Sequence, residues 1–471
     1  MSKPQFSVNH GFHLHPPLWT HNDSESEIPK ALIRSARHGE IDNVKLLLDQ
    51  GADIEEKNVD GWTALFAATS AGHVDIVRLL LERGSKMMRF NDDNKPTLDS
   101  PVEARNPPLC AASDCVDIHG YTVLMIAVFN DHTEVVKLLL DVGADPNSGY
   151  DPIFRTERNT SMALIIAASR GNIEIMTLLL NKEAIIDGVN FEDNTALTAA
   201  TINGNVQAVQ LLLDKGATTD RMNTKHATAF MVAVSINNIE IVKLLLDKAA
   251  TADMHETSVA LIVASYFGSI EIVELILTKG AVINGVRDDQ KAALTLSKIL
   301  LDQTIDESWN ITPLIASACR GHTEVVKLLL DRGALIDITS TSGWTALMFA
   351  ATCGHFSVAE VLLDSGASME ITNNKGITAL MFAAGFDFDI ARLLLDRGAA
   401  IDRGSGKGMT ALMFAAARDI EILKLLLSRG ANVDSKDIEG RTAFMIAFES
   451  HRMDAMMLLL DSGAHIYNEW C

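Results

Sequence analysis

The seven residues TALMFAA occupy Thr345–Ala351, Thr378–Ala384 and Thr410–Ala416, and a looser copy, TAFMIAF, runs from Thr442 to Phe448. The steps between these starts are 33, 32 and 32 positions. One active site needs one copy of its motif, so a catalytic reading does not explain the recurrence. A short structural unit that only another copy of itself can bury does explain it.

Alignment on the Thr-Ala-Leu start extends the series. Further copies open at Thr63, Thr122, Thr195, Thr228 and Thr312, with Lys30, Met162 and Val259 in the threonine's place, making twelve. Threonine at the start is a good N-cap for a first helix. Leu and paired alanines then give that helix a small apolar face. A Gly-His pair follows in several copies (Gly72-His73, Gly321-His322, Gly354-His355), where glycine lets the chain reverse without a side-chain clash. An acid stands in the first turn of a second helix, as at Asp75, Glu134 and Glu324, where it meets the positive end of the helix dipole. A Leu triplet packs inward, and a glycine such as Gly51, Gly333 or Gly463 ends the helix in the left-handed region.

This spelling resembles the ankyrin repeat family, and GHTEVVKLLLDRGA at Gly321–Ala334 is similar to that family's unit nearly residue for residue. The resemblance covers about Lys30 to His465. It implies an all-α fold: an ankyrin-repeat solenoid of about twelve helix-turn-helix units with β-hairpin turns. The chain departs from the family in one way. T-P-L-H is usually T-A-L-M here, with Met125, Met231, Met348, Met381, Met413 and Met445 at the last place and proline only at Pro313. Methionine fills irregular gaps, so these residues are expected to be core.

The register also marks interruptions. Residues 1–26 read as a disordered tail and 27–85 as repeats, before a proline-rich loop at 86–116 that is expected to lie along the hairpin edge. Repeats resume over 117–284, with a smaller insertion near SGYDPIFRTER, and one shortened, degenerate unit is expected over 285–309, around Ala292. Residues 310–466 are expected to carry the last repeats and 467–471 a short tail, with no catalytic domain expected after them. Copies starting at Thr378 and Thr410 lack the glycine between their helices and are one residue short.

Composition narrows the function. Hydrophobic residues make up 48 % of the 471, but aromatics only 6 %, which suits thin, closely packed helices. The net charge of −21, with no run of Lys or Arg, speaks against a nucleic-acid partner. Five scattered cysteines suit a reducing compartment. The start, MSKPQFSVNHGFHLHPPLW, has no signal-peptide core, and no apolar run reaches membrane-spanning length. A cytoplasmic monomer without membrane contact is expected. No cofactor, metal or catalytic set emerges. Gly404-Ser405-Gly406-Lys407-Gly408 fails as a phosphate loop, since no strand precedes it and Gly408 follows the Lys. The histidines at 10, 13, 15 and 21 and the trio Cys110, Cys115 and His119 lack the ligand geometry of a zinc site.

The resemblance therefore implies a protein-binding adaptor or scaffold rather than an enzyme. A specialised binder is the alternative: an enzyme inhibitor, a ubiquitin-ligase substrate receptor or an exported effector. In the family, residues just before the threonine and at the end of the first helix line the concave binding face. Here those places hold Trp62, Tyr121, Phe129, Tyr266, Phe267, Trp344, Ile377 and Phe386. Two copies break the helix-ending glycine rule, with Glu183 in LLLNKEA and Ala249 in LLLDKAA. A side chain there costs about 1–2 kcal/mol. The middle, about residues 162–309, is thus expected to open before residues 345–427. Hydrogen exchange by mass spectrometry checks this: helices of the middle exchange faster, and slower exchange there refutes it.

Overall fold

The computed structural model describes residues 28–59, 61–84, 89–90, 96–97, 117, 120–148, 161–190, 192–224, 227–248, 254–285 and 311–465. The expected terminal tails, nearly all of the 86–116 loop, the insertion near residue 155, the shortened unit around Ala292, the N-terminal histidines, Cys110, Cys115, His119 and Ala249 lie outside these residues. Two compact units divide the chain, Met1–Thr224 and Lys225–Cys471.

Both units are built from helix pairs, each first helix running antiparallel to its second. In the first unit the first helices are Ile28–His38, Ala64–Ala71, Val123–Phe129, Met162–Arg170 and Ala196–Ile202. In the second they are Ala229–Ser235, Met254–Phe267, Pro313–Arg320, Ala346–Cys353, Ala379–Phe386, Ala411–Arg418 and Ala443–Glu449. Within each unit, first helices pack on first helices and second on second, which makes an all-α repeat solenoid. Inside the 86–116 segment a two-residue antiparallel ladder pairs Arg89 with Thr97 and Phe90 with Pro96.

Most of these helices have seven to nine residues, too few to persist alone in water. Stacking supplies the stability. In Ala64–Ala71 every residue from Ala64 to Thr69 is buried, because neighbouring units cover two sides and its own second helix a third. Alanine at Ala67 and Ala68, both with no exposed surface, lets the helices approach closely. A second helix packs on its own first helix and less extensively on neighbouring second helices, and Val74–Glu82 buries Ile76, Val77, Leu80 and Leu81. Met125, Met231, Met348, Met381 and Met413 are buried as expected, whereas Met445 is half-buried in the last described repeat. That repeat also leaves Phe448, Met453, Met457 and Leu460 exposed.

The threonine caps form as the sequence requires. The backbone N–H groups of Met125, Ile315 and Met348 donate to the hydroxyls of Thr122, Thr312 and Thr345 at 3.1, 3.2 and 3.2 Å. Glycines at second-helix ends are left-handed, and Glu183 takes the same conformation at φ 67° despite its side chain. The two shortened copies solve their missing glycine with aspartate. Asp387 and Asp419 are extended, ending one helix and capping the next; Asp387 accepts from the Ile390 N–H and Asp419 from those of Glu421 and Ile422.

In four repeats a histidine at the helix–helix corner ties the repeat to the one before. Nε2–H of His73, His132, His322 and His355 donates to the carbonyls of Arg37, Ser70, Tyr266 and Cys319 at 2.9, 3.0, 2.8 and 3.0 Å. Asn205 does the same through Nδ2 to Ala168 and Ser169. These rings explain the preceding glycine more fully than the sequence does. A Cβ on Gly321 would sit 2.6 Å from Nδ1 of His355, and Gly321 is also left-handed, at φ 78°. Further along, an acidic or amide side chain accepts a backbone N–H from the next unit: Asp187 from Thr218, Asp337 from Ser368 and Asp402 from Asn432.

The histidine bonds show that the register closes across the largest interruption of the second unit. His322 reaches Tyr266, Asn284 accepts from the Leu335 N–H, and helix Met254–Phe267 packs directly on Pro313–Arg320. The repeats opened by Val259 and Thr312 are therefore neighbours. The shortened unit expected over residues 285–309 lies outside the described residues.

Two outcomes test the corner. Gly333 has φ 89° and open space where a Cβ would go, so Gly333→Ala costs about 1–2 kcal/mol of strain. Gly321→Ala costs about 1 kcal/mol more, because it also dislodges the histidine bond; equal urea midpoints for the two variants would refute the corner contact. Burial holds the His322 pKa below its ordinary value; the Tyr266 carbonyl opposes this, while Arg320 and His355 add to it. The unfolded chain thus takes up the proton first as pH falls. Stability present above the ordinary histidine pKa is lost as pH falls through the folded one. His322→Asn keeps the bond in the way Asn205 does, so it retains neutral stability and loses less between about pH 7 and about pH 5. Urea titrations at both pH values measure the difference.

Candidate interaction surface

The residue before each threonine closes a tight hairpin whose first residue is Asn, Asp or Ser. The N–H groups of Asn58, Ser340, Asn373 and Asp437 donate to the carbonyls of Trp62, Trp344, Ile377 and Arg441. The same side chains accept in return, as when Asn373 Oδ1 takes the N–H groups of Lys375 and Ile377. Successive tips are then joined by single backbone bonds: Asn374 N–H to Ser342 at 3.1 Å, Gly406 N–H to Lys375 at 2.9 Å and Ile438 N–H to Lys407 at 3.0 Å. A Cβ on Gly376 would collide with the Gly406 backbone. The GSGKG stretch is one of these tips, as its position between repeats implies.

This geometry sorts the eight residues singled out from the sequence. Trp62 is only 2 % exposed; its indole N–H donates to Asp117 Oδ2 at 3.4 Å and its ring tilts on Phe66. Tyr266 is 4 % exposed, edge-on to Phe267 at 5.4 Å and beneath the Arg320 guanidinium at 4.8 Å. The expectation of solvent-facing positions is corrected for these two: the neighbouring repeat covers them. Tyr121, Phe129 and Phe267 are half-buried. Burial, then the Asp117 carboxylate, pushes the Tyr121 phenol pKa up. Phe129 lies under Arg170, which Asp131 holds at 2.6 Å.

Trp344 falls in one repeat of the second unit and Ile377 and Phe386 in the next, and here an aromatic strip forms. The Trp344 ring lies 4.9 Å from Phe349 and 4.3 Å from Phe382, its neighbour in the next repeat. Phe382 and Phe414 are half-exposed, and Phe386 is 58 % exposed with Arg418 over its ring at 4.6 Å. Sequence reasoning missed Phe382 and Phe414, because the F of TALMFAA reads as part of a buried helix. The signal was available: four residues after the start, the other copies have Ala, Ile, Val or Arg, and only these three have Phe.

Among the described residues, no group of three or more His, Cys, Asp or Glu is placed to hold a metal ion, and no helix is long and apolar enough to cross a membrane. Comparison with known proteins agrees with the architecture. The profile for ankyrin repeats, in three copies, matches residues 32–150, 148–223, 218–287, 290–373, 365–437 and 380–469. The chain is also similar to the ankyrin repeat and KH domain-containing protein mask-1 of Caenorhabditis elegans, 42 % identical over 74 residues. A similar match is the ankyrin repeat and KH domain-containing protein mask of Drosophila melanogaster, 40 % identical over 78 residues. These alignments take in 15 % and 17 % of this chain but only 3 % and 2 % of the relatives, so they bear on the repeats alone. With the repeat register, the stacked helix pairs and the profile in agreement over nearly its whole length, the chain belongs to the ankyrin-repeat family.

Proposed function

We propose that the chain is an adaptor or scaffold that holds partner proteins on the hairpin and first-helix face of its second unit, acting as a cytoplasmic monomer. Ankyrin repeats are generally protein–protein interaction modules, which supports binding rather than catalysis. The observation that carries the choice of face is the strip Trp344–Phe382–Phe414. Half-exposed aromatic rings on a scaffold with only 6 % aromatic residues mark a place where burial by a partner would be favourable. Hairpins and stacked helices hold the rings in place, so little ordering entropy opposes association. From the residues expected at sequence level, Trp344, Ile377 and Phe386 remain in this face.

Replacing Phe382→Ser and Phe414→Ser together tests the reading. Phe382 packs on Trp344, so the urea midpoint should fall while circular dichroism shows the fold retained. Quantitative capture from lysate should then lose at least one partner by about tenfold, the loss of one aromatic anchor of about 1.4 kcal/mol or more. An unchanged set of captured proteins with an intact fold refutes this face.

A further inference from the structure

The repeats that carry the aromatic strip also lack carboxylates on the same side. Each contributes a hairpin and a first helix: residues 340–353, 373–386 and 405–418. Together they hold Lys375, Lys407 and Arg418 and no Asp or Glu, in a chain of net charge −21. Some equivalent stretches elsewhere are acidic, though residues 223–236 also hold no Asp or Glu. Residues 190–203 carry Glu192 and Asp193, and residues 437–450 carry Asp437, Glu439 and Glu449.

The three cations also differ from their neighbours in pairing. Arg397 and Arg429 on second helices are held by Asp364 and Asp396 at 2.8 and 2.7 Å. Arg441, one repeat beyond the strip, is shared by Asp437, Glu439 and Glu449. Among the described residues, Lys375, Lys407 and Arg418 enter no ion pair, and all three are exposed. The tip-to-tip bonds set Lys375 and Lys407 on adjacent hairpins, about 10 Å apart at the spacing of packed helices. Arg418 lies at the other end of the first helices, about 12 Å away along eight residues. The aromatic strip is therefore bordered by positive charge along its hairpin margin, while at the other end Arg418 stands beside the capping carboxylates Asp387 and Asp419.

We propose that this strip binds an acidic segment of a partner protein, in extended form, whose apolar side chains cover Trp344, Phe382 and Phe414 while its carboxylates meet Lys375 and Lys407. This rests on the face assigned under Proposed function and adds its chemistry. An extended chain rises about 3.3 Å per residue, so carboxylates about three positions apart reach both lysines. A long polyanion such as single-stranded nucleic acid fits less well, because positive charge ends with these three repeats and the acidic hairpin at Asp437–Glu439 follows.

The test uses the full chain and a fluorescein-labelled peptide, Asp-Glu-Phe-Glu-Asp-Leu repeated twice, followed by anisotropy. A control peptide has Lys for every acid, and a uridine dodecamer serves as the polyanion. The acidic peptide should bind at least about tenfold tighter than either control and weaken as salt rises from about 0.05 to about 0.5 M. Lys375→Glu with Lys407→Glu should weaken it about tenfold or more. Equal binding of both peptides, no binding of the acidic one, tighter binding of the oligonucleotide, or indifference to the charge reversal would each overturn the proposal. Capture of lysate partners separates the two readings. Loss with the Phe382→Ser, Phe414→Ser pair but not with the charge reversal sinks the acidic chemistry and leaves the face; loss with neither sinks both.

Discussion

Burial of the first helix between copies of itself is the contact on which everything else depends. Eight residues such as Ala346–Cys353 form about two turns and cannot pay the cost of helix nucleation in isolation. Between neighbours, every residue from Ala346 to Ala351 is buried. Stability then becomes a sum of units and the interfaces between them, which is why the chain repeats a short phrase rather than building one large core.

Apolar stacking alone would let the units slide, and polar contacts set the step. The corner histidines, the acceptors Asp187, Asp337 and Asp402, and the tip-to-tip backbone bonds each join one repeat to the next at a fixed place. Each of these bonds has a backbone group on at least one end, so the other side chains around them are left to vary. Exposed pairs such as Arg83–Asp49 repeat with the same step, but such pairs contribute little. The corner also shows how one position answers two demands. Gly321 is glycine for its left-handed φ and for the imidazole packed against it, whereas Gly333 answers only the first.

The same arrangement frees one side of the first helices. Residues that point between repeats are constrained to small or aliphatic types. The position four residues after the start is buried in most repeats, as at Ile126, Ile166 and Phe349, but Phe382 and Phe414 are half-exposed there. Identity on that side is open to recognition, while the hairpins hold its shape.

The repeat, the helix pairs, the capping threonines and the left-handed positions were legible in the amino-acid sequence, because each is dictated within a few residues. Threonine caps the helix three residues on, and Glu183 is left-handed because it stands where Gly333 stands in another copy. Spacing also revealed the interruptions, but not what they do to the stack. Only contacts between distant residues, His322 with Tyr266 and Asn284 with Leu335, make the repeats on either side of residues 286–310 neighbours. Exposure was likewise beyond a local reading. Trp62 and Trp344 occupy the same place in their repeats, yet one is buried with its N–H on Asp117 and the other lies half-exposed against Phe349 and Phe382. What covers a side chain is decided by the adjoining repeat, and that is a property of the tertiary structure.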